Sequence, residues 1–524
     1  MNFLADDAFY VTLPAKHLAG EAGFPSLDGT NPTNGFHPAI FGIDYILAKV
    51  GLDDIYIANM WIGLAGMILT AVLYNRYTTR LGNSNGEDWA AMALVANPFL
   101  LASSMAGLES TLFTMAIVFY YGRLYKMVDD WFSGHKQPWQ SWLAQGFLGV
   151  LAYLCRTEFL FHMLGHALAF FILLLVGIRS GRKQDCIQCF VPWLLLVVPP
   201  TIAFYCYGKF GEAMTGHFTQ SSASQKSVIH QIAAGDFGAI DPLRFYADFQ
   251  HHGLLPLLLM LAPVLYHAKH LSRLRPGLLF ILCSTFAILF FYSLLIPIYQ
   301  WHYMASYVVM VSLALPLFFK QVIGDSAHGI PRTFKFWVVG GATAMVAWVY
   351  IHDKDDFYNF RNLDLVFAIA YAASWFFPAA QETAMGRLHF RALAIAGVLA
   401  SLTMVWFGES FRTIHYYRSD ISTTLREILP PDMKAGVAAA GIYAKFLDPA
   451  HRRVVNLDGA ISWPALEAIR EGRLESFIDE QGIDILFESS PVRGFIQTKH
   501  PFIQVREGHQ DLVDKINDKY KKGE

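Results

Sequence analysis

The chain has 524 residues, 54% of them hydrophobic and only 16% charged, with a formal net charge of −2 and a mean hydropathy of +0.34. Soluble domains carry about 25% charged residues, so a large soluble enzyme is excluded, and the absence of basic runs excludes nucleic acid as a partner. The five cysteines (Cys155, Cys186, Cys189, Cys206, Cys283) lie in apolar blocks or at their ends, which argues against a disulfide framework, and the single CxxC reads as two small hydrophobes, with redox or metal binding as the alternative.

In chain order, Asp6-Asp7-Ala8-Phe9-Tyr10 comes first, with no basic or apolar stretch before it and hence no signal-peptide pattern. Two adjacent carboxylates at a membrane surface can deprotonate a hydroxyl or hold a divalent cation. A helix N-cap is the plainer alternative. The segment from Gly29 through Asn34, Gly35, Phe36 and His37 to Pro38 is rich in turn residues and reads as a loop. His37 there is either a ligand-binding donor or a cap on the next helix. Pro38 to Gly51 is apolar but short and holds Asp44 and Lys49, so it reads as a helix lying in the interface.

Apolar blocks long enough to cross about 30 Å of hydrocarbon follow near 56–79, 88–105, 110–126, 140–156, 159–178 and 187–208. A second set lies near 254–271, 277–297, 301–320, 333–352, 364–380 and 390–408. Every second connecting loop is rich in Lys and Arg, which directs those loops to the cytoplasm. Segments 1–55, 209–253 and 409–524 then face outward. The last of these changes character. Val437 to Gly441, Arg453 to Leu457 and Ile483 to Phe487 read as strands, and Trp463 to Glu471 and Leu474 to Gln481 as helices, an alternation that predicts a small α/β unit. The expected architecture is therefore an all-α polytopic membrane protein of about 12 transmembrane helices. Residues 1–411 form its membrane domain and 412–524 a small C-terminal α/β periplasmic domain.

Charged groups at membrane depth are costly, so they are candidates for function. Glu109, in the turn Gly107-Leu108-Glu109-Ser110, and Arg156 and Glu158, in Arg156-Thr157-Glu158, are such groups. An Arg156–Glu158 or Arg156–Glu109 ion pair tying helix ends together is the structural alternative. The serine-rich stretch through Ser222 to Lys226 offers hydroxyls, amides and a cation suited to phosphate, or is a polar linker. His302 stands among Tyr299, Trp301 and Tyr303, aromatics that belong to an interfacial belt whatever the function. Asp53-Asp54, Asp129-Asp130 and Asp355-Asp356 read as solvated loop residues.

Asp6-Asp7 followed by the Asp28 to Pro38 loop, then Gly107-Leu108-Glu109-Ser110, Arg156-Thr157-Glu158, the serine loop ending at Lys226 and Val454-Val455-Asn456-Leu457-Asp458-Gly459, resembles the GT-C class of membrane glycosyltransferases. More narrowly, it resembles the branch related to the mycobacterial cell-wall arabinofuranosyltransferases. The resemblance runs over almost the whole chain, and the first loop is its most specific part. It implies an inverting glycosyltransferase of the bacterial inner (plasma) membrane that moves a sugar from a polyprenyl-phosphate donor to a hydroxyl of a glycan, lipid or protein acceptor at an outward-facing site. Carried over, it implies Asp6 as general base with Asp7 beside it, and Glu109 as a second acid. It assigns Arg156 and Lys226, and more weakly His302, to the phosphate leaving group. It leaves a divalent metal ion open as the cofactor, and one would fall to Asp6, Asp7 and Glu109. Members of the class have a spanning helix before the Asp-Asp loop, where only Met1 to Ala5 stand here, so the expected parent has about 13 spans. The competing expectations are a transporter or flippase of a lipid-linked glycan, and a non-catalytic glycan-binding membrane protein.

Overall fold

The computed structural model describes residues 6–20, 22–80, 110–179, 187–225, 275–294, 409–438, 440–447, 454–488 and 491–521, together with 104, 107, 109, 309, 310 and 313. The side chains of Asp6 and Asp7, and Lys226, His302, and, apart from residues 104, 309, 310 and 313, the expected spans at 88–105, 254–271, 301–320, 333–352, 364–380 and 390–408 lie outside the described residues.

Helix α1 (Asp6–Ala19) opens at the paired aspartates, α2 (Pro38–Lys49) starts on a proline, and α3 (Ile55–Arg80) follows. Proline suits that first position, where its missing N–H has no helical partner to lose. Then come α4 (Ser110–Phe132), α5 (Trp139–Cys155), α6 (Phe159–Arg179), α7 (Phe190–Thr215) and α8 (Pro276–Leu294). Among the described residues, segments of α3, α6 and α7 (Ile55–Tyr77, Phe159–Ile178 and Phe190–Thr215) are long and apolar enough to cross a membrane. The expected spans at 56–79, 159–178 and 187–208 coincide with these three, and those at 110–126, 140–156 and 277–297 fall on the helices α4, α5 and α8, the last described as far as Leu294.

Lipid tails give no hydrophobic drive between helices, so such bundles rely on close approach at small residues. Gly146 of α5 lies where a Cβ would strike the Leu195 carbonyl of α7, and Gly165 of α6 lies against the Ser284 backbone of α8. Around these contacts Tyr74, Phe113, Tyr120, Tyr121, Trp142, Tyr153 and Phe159 form one buried core. Some polar groups inside it bond to one another: the Tyr121 hydroxyl meets His162 Nδ1 at 2.8 Å and His166 Nε2 at 3.1 Å, and Gln145 donates to the Tyr120 carbonyl at 2.8 Å.

Asp129 departs from its expected place in a solvated loop. Its carboxylate accepts from the Gly277 amide at 2.9 Å and faces Arg275 at 3.8 Å, capping the start of α8 from the end of α4. The reason is electrostatic: the first amides of a helix have no internal partner and attract negative charge.

Asp44 on α2 is fully buried and accepts a 2.6 Å hydrogen bond from Thr12 on α1. Burial raises its pKa to about 6, against the opposing pull of hydrogen bonds from Thr12 and Asn59 and the charge of Lys16. The folded state thus binds this proton more tightly than the unfolded chain. The resulting stability is complete below the ordinary carboxyl pKa of 3.8 and is lost as pH rises through 6. Asp44→Asn keeps an acceptor for Thr12 and is expected to be more stable than wild type by about 2–3 kcal/mol at pH 7, with little difference near pH 4. Thermal unfolding in detergent at the two pH values reads it.

The C-terminal domain is entered through α9 (Glu409–Ile428) and contains β1 (Ala435–Val437), α10 (Ala440–Phe446), β2 (Val454–Asn456), α11 (Trp463–Arg470), α12 (Leu474–Glu480), β3 (Ile485–Phe487), β4 (Phe495–Gln497), β5 (Gln504–Arg506) and α13 (Gln510–Lys521). The sheet order is β2-β1-β3-β5-β4. β1 is central to a parallel trio, Ala435 pairing with both Val454 and Ile485, and β5 adds antiparallel to β3 and β4. The expected strand at Val437 to Gly441 is corrected: Val437 ends β1, and Ala440 and Gly441 already belong to α10. Alanine favours helix over strand, and the apolar run Val437-Ala438-Ala439-Ala440 carries no periodicity to separate the two. β4, β5, α10 and α13 have no counterpart in the sequence reading.

Candidate active site

The loop between α1 and α2 is organised by Asp28. Its Oδ1 accepts from the amides of Thr30 and Asn31 and from the Ser26 hydroxyl, each at 2.9 Å, and Oδ2 accepts from Asn31 Nδ2 at 2.9 Å. Burial would raise the Asp28 carboxyl, but these bonds from Asn31 and Thr30 to the charged form hold it below its ordinary range. Gly29 completes the turn at φ 74°, a backbone conformation that favours glycine.

Asn34 is the hub of the next turn. Its Nδ2 donates to the carbonyls of Thr219 (2.8 Å) and His217 (3.3 Å) at the end of α7. Its Oδ1 accepts from Trp463 Nε1 of α11 at 2.9 Å and from the Ser221 amide at 3.2 Å. The loop before α2, the loop after α7 and the C-terminal domain thus meet at one amide side chain. The Trp463 ring stacks on His217 at 3.7 Å between centroids, and Ser221 donates to the Ala460 carbonyl at 2.8 Å. Gly35 belongs to this junction because a Cβ there would fall 2.5 Å from the Ala460 oxygen. Gly35→Ala is therefore expected to destabilise the junction by about 1–3 kcal/mol. Limited proteolysis should release the C-terminal domain sooner than in wild type.

Beside this junction stands a charge cluster built from three helix ends. Glu109 precedes α4, Arg156 follows α5 in extended conformation, and Glu158 precedes α6. Arg156 Nη1 donates to Glu109 Oε1 at 3.1 Å and to Ser110 Oγ at 2.8 Å, while Nη2 donates to Glu158 Oε2 at 3.0 Å. Arg156 is 1% exposed, Glu109 5% and Glu158 8%. Both ion pairs foreseen as structural alternatives are present together. One cation between two carboxylates has its charge matched already, so Arg156 offers little to a phosphate unless the cluster rearranges.

His37 occupies the N-cap position of α2, but its side chain does not cap the helix. Instead Nε2 lies 3.5 Å from Glu109 Oε1, and at 22% exposure the imidazole is the most open member of the group. The Gln220 side chain bridges the cluster to the first loop, accepting from Thr157 at 2.9 Å and donating to the Phe36 carbonyl at 2.7 Å.

Of the expected site residues, the structure brings His37, Glu109, Arg156 and Glu158 together. Ser222 is half-buried in the short helical turn that Ser221 opens, next in sequence to a member of the Asn34 junction. The backbone of Asp6 and Asp7 starts α1, whose Val11 and Ala15 pack with Phe36, Ile40 and Phe41 around the position of His37. Among the described residues no three His, Cys, Asp or Glu side chains converge as a metal site. The sequence reading takes Asn34 only as a turn residue and assigns nothing to Tyr10, Gln220 or Trp463. Only tertiary pairing marks these four.

No family model matches the chain, and no curated protein matches it. The fold is similar to that of ArnT from Cupriavidus metallidurans bound to undecaprenyl phosphate, at 13% identity over 96% of this chain and 93% of that one, with a TM-score of 0.50. The same protein in the apo state matches at 12% identity over 95% and 92%, with a TM-score of 0.51. The archaeal oligosaccharyltransferase AglB from Archaeoglobus fulgidus, in complex with an inhibitory peptide and a dolichol-phosphate, matches at 13% identity over 92% of this chain and 65% of that one, with a TM-score of 0.48.

Proposed function

We propose that the chain is an inverting membrane glycosyltransferase that takes a sugar from a polyprenyl-phosphate donor and passes it to an acceptor hydroxyl at an outward-facing site. The observation that carries the reading is the gathering of His37, Glu109, Arg156 and Glu158 at one end of α4, α5 and α6, beneath loops that also hold the C-terminal domain. The basic-loop pattern directs that end outward. A fold shared along almost its whole length with a protein crystallised with undecaprenyl phosphate supports a lipid phosphate as donor. The arabinofuranosyltransferase branch, the bacterial inner membrane and the periplasmic side of the C-terminal domain belong to this proposal.

A polyprenyl chain stays in the bilayer while its phosphate and sugar reach water, so the reaction belongs at the interface. Asp6 takes the acceptor proton as the acceptor oxygen attacks the anomeric carbon. The bond from that carbon to the phosphate oxygen breaks, and polyprenyl phosphate leaves with the electron pair. Charge grows on the phosphate as it departs, and Lys226 and His302 are assigned to stabilise it. Arg156 holds Glu109 and Glu158 in place, and Glu109, facing the open edge of His37, orients the acceptor. Asp6, Asp7 and Glu109 would hold a divalent cation, which would supply further charge for the phosphate.

One observation favours a transporter instead: Tyr121, His162 and His166 form a buried polar cluster inside the helical bundle. These histidines lie three and seven residues into α6. At about 1.5 Å per residue they stand within roughly 10 Å of the same helix ends as Arg156, short of the midplane where transporter sites lie. Incubating the reconstituted protein with a panel of labelled polyprenyl-phosphate sugars separates the two readings. Label leaving the lipid for an acceptor is the expected result. Intact donor moved across the vesicle wall would replace the transferase with a flippase.

A further inference from the structure

Tyr10 lies in α1, one helical turn after Asp6, and its ring reaches into the C-terminal domain. The Tyr10 hydroxyl accepts from the Ala440 amide at 2.9 Å and from Asn456 Nδ2 at 3.3 Å, and donates to the Ala438 carbonyl at 3.3 Å. A tyrosine hydroxyl in water can make about three such bonds, so this one is saturated. All three partners belong to residues more than four hundred positions away, at the carboxyl ends of β1 and β2. That edge is where open α/β sheets bind their ligands. Here a side chain of the membrane domain fills it.

The surroundings make the plug a rigid one. Phe9, Tyr10 and Leu13 share a buried core with Val437, Ile442, Tyr443 and Phe487. Phe9 contacts Tyr56 of α3 at 4.7 Å and Phe446 of α10 at 6.4 Å between ring centroids, and Lys445 lies over the Tyr56 ring at 5.2 Å. The opposite side of α1 is fixed by Val11 and Ala15 against Phe36, Ile40 and Phe41. Apolar packing resists separation but tolerates small rotations and slides. Three hydrogen bonds of set direction do not.

We infer that Tyr10 is a positioning residue: the C-terminal domain uses the ligand edge of its sheet to lock helix α1, and thereby sets the placement of the paired aspartates that open it. The domain then works as a clamp on the membrane domain, and no acceptor glycan occupies that edge. This rests on the transferase reading and names a residue that acts through Asp6 without touching substrate.

The test is Tyr10→Phe in the full chain, reconstituted in vesicles with the polyprenyl-phosphate sugar that wild type consumes. The ring stays, so the shared core is kept while the three hydrogen bonds go. Misplacement of a reacting group by about 1 Å costs roughly 100-fold. The expected result is a kcat lower by about 10- to 100-fold, with KM for donor and acceptor within about twofold, and faster hydrogen exchange at the Ala440 amide. Asn456→Ala, which removes one of the three bonds from the other side, is expected to move kcat and exchange in the same direction by less. It replaces Tyr10→Phe should that variant misfold. Faster exchange with unchanged kcat, unchanged exchange, or a raised KM at constant kcat each overturns the proposal. Asp6→Asn keeps the two failures apart. If Asp6→Asn retains full rate, the transferase reading with Asp6 as base falls. If it is inactive while Tyr10→Phe turns over normally, only the positioning role falls.

Discussion

Arg156→Met is expected to cost the fold about 3–5 kcal/mol, because it leaves Glu109 and Glu158 buried side by side with no cation between them. The two carboxylates come from different helix ends, so their repulsion acts directly on the packing of α4 against α6. Arg156→Lys is expected to rescue only part of the loss. A lysine ammonium is a single point, whereas the guanidinium fork reaches Glu109, Ser110 and Glu158 together. Replacing all three charges at once, as Arg156→Met with Glu109→Gln and Glu158→Gln, is expected to recover much of the stability, since removing a whole buried network is far milder than removing one member. Thermal unfolding in detergent separates the three cases. An Arg156→Met protein that unfolds at the wild-type temperature would remove the cluster from its role as a tie.

Asp6→Asn is expected to lower transfer by about 10²- to 10⁴-fold, the usual contribution of a general base, while leaving thermal unfolding unchanged. The substitution keeps the size and N-cap capacity of the side chain, so a helix-start role alone would be preserved. Asp7→Asn provides the comparison. Asp6 stands one turn before Tyr10, and Asp7 one turn before Val11, which packs toward the His37 loop. If Asp7→Asn carries the larger loss, the base is Asp7 and the catalytic side of α1 is the one facing His37. Steady-state rates at saturating donor decide between them.

The helices of the membrane domain were legible because length and hydropathy are local properties. Runs such as Phe159 to Ile178 declare themselves without reference to any partner. Glu109, Arg156 and Glu158 were legible for a related reason: a charge at membrane depth needs a partner, and these three supply one another. What sequence reading leaves open is whether such a group works as a reagent or as a tie. Two foreseen ion pairs prove to coexist on one guanidinium, which favours the tie for Arg156.

The junctions were not legible. Asn34 looks like half of an Asn-Gly turn, and only folding reveals that its amide is shared by a loop nearly two hundred residues away and a helix more than four hundred away. Tyr10 and Trp463 pass unmarked for the same reason: their partners are more than four hundred residues away in the chain. In the tail, three-residue strands are too short for a period of two to show, so β4 and β5 pass unnoticed and β1 is misplaced by the alanines that follow it.

The measurement closest to the central claim is a single-turnover experiment with donor-loaded protein in vesicles, mixed with acceptor and read for both products. Polyprenyl phosphate should appear in step with glycosylated acceptor, and the new glycosidic bond should have the opposite anomeric configuration to the donor. Retained configuration, or donor recovered intact on the far side of the bilayer, would contradict the account.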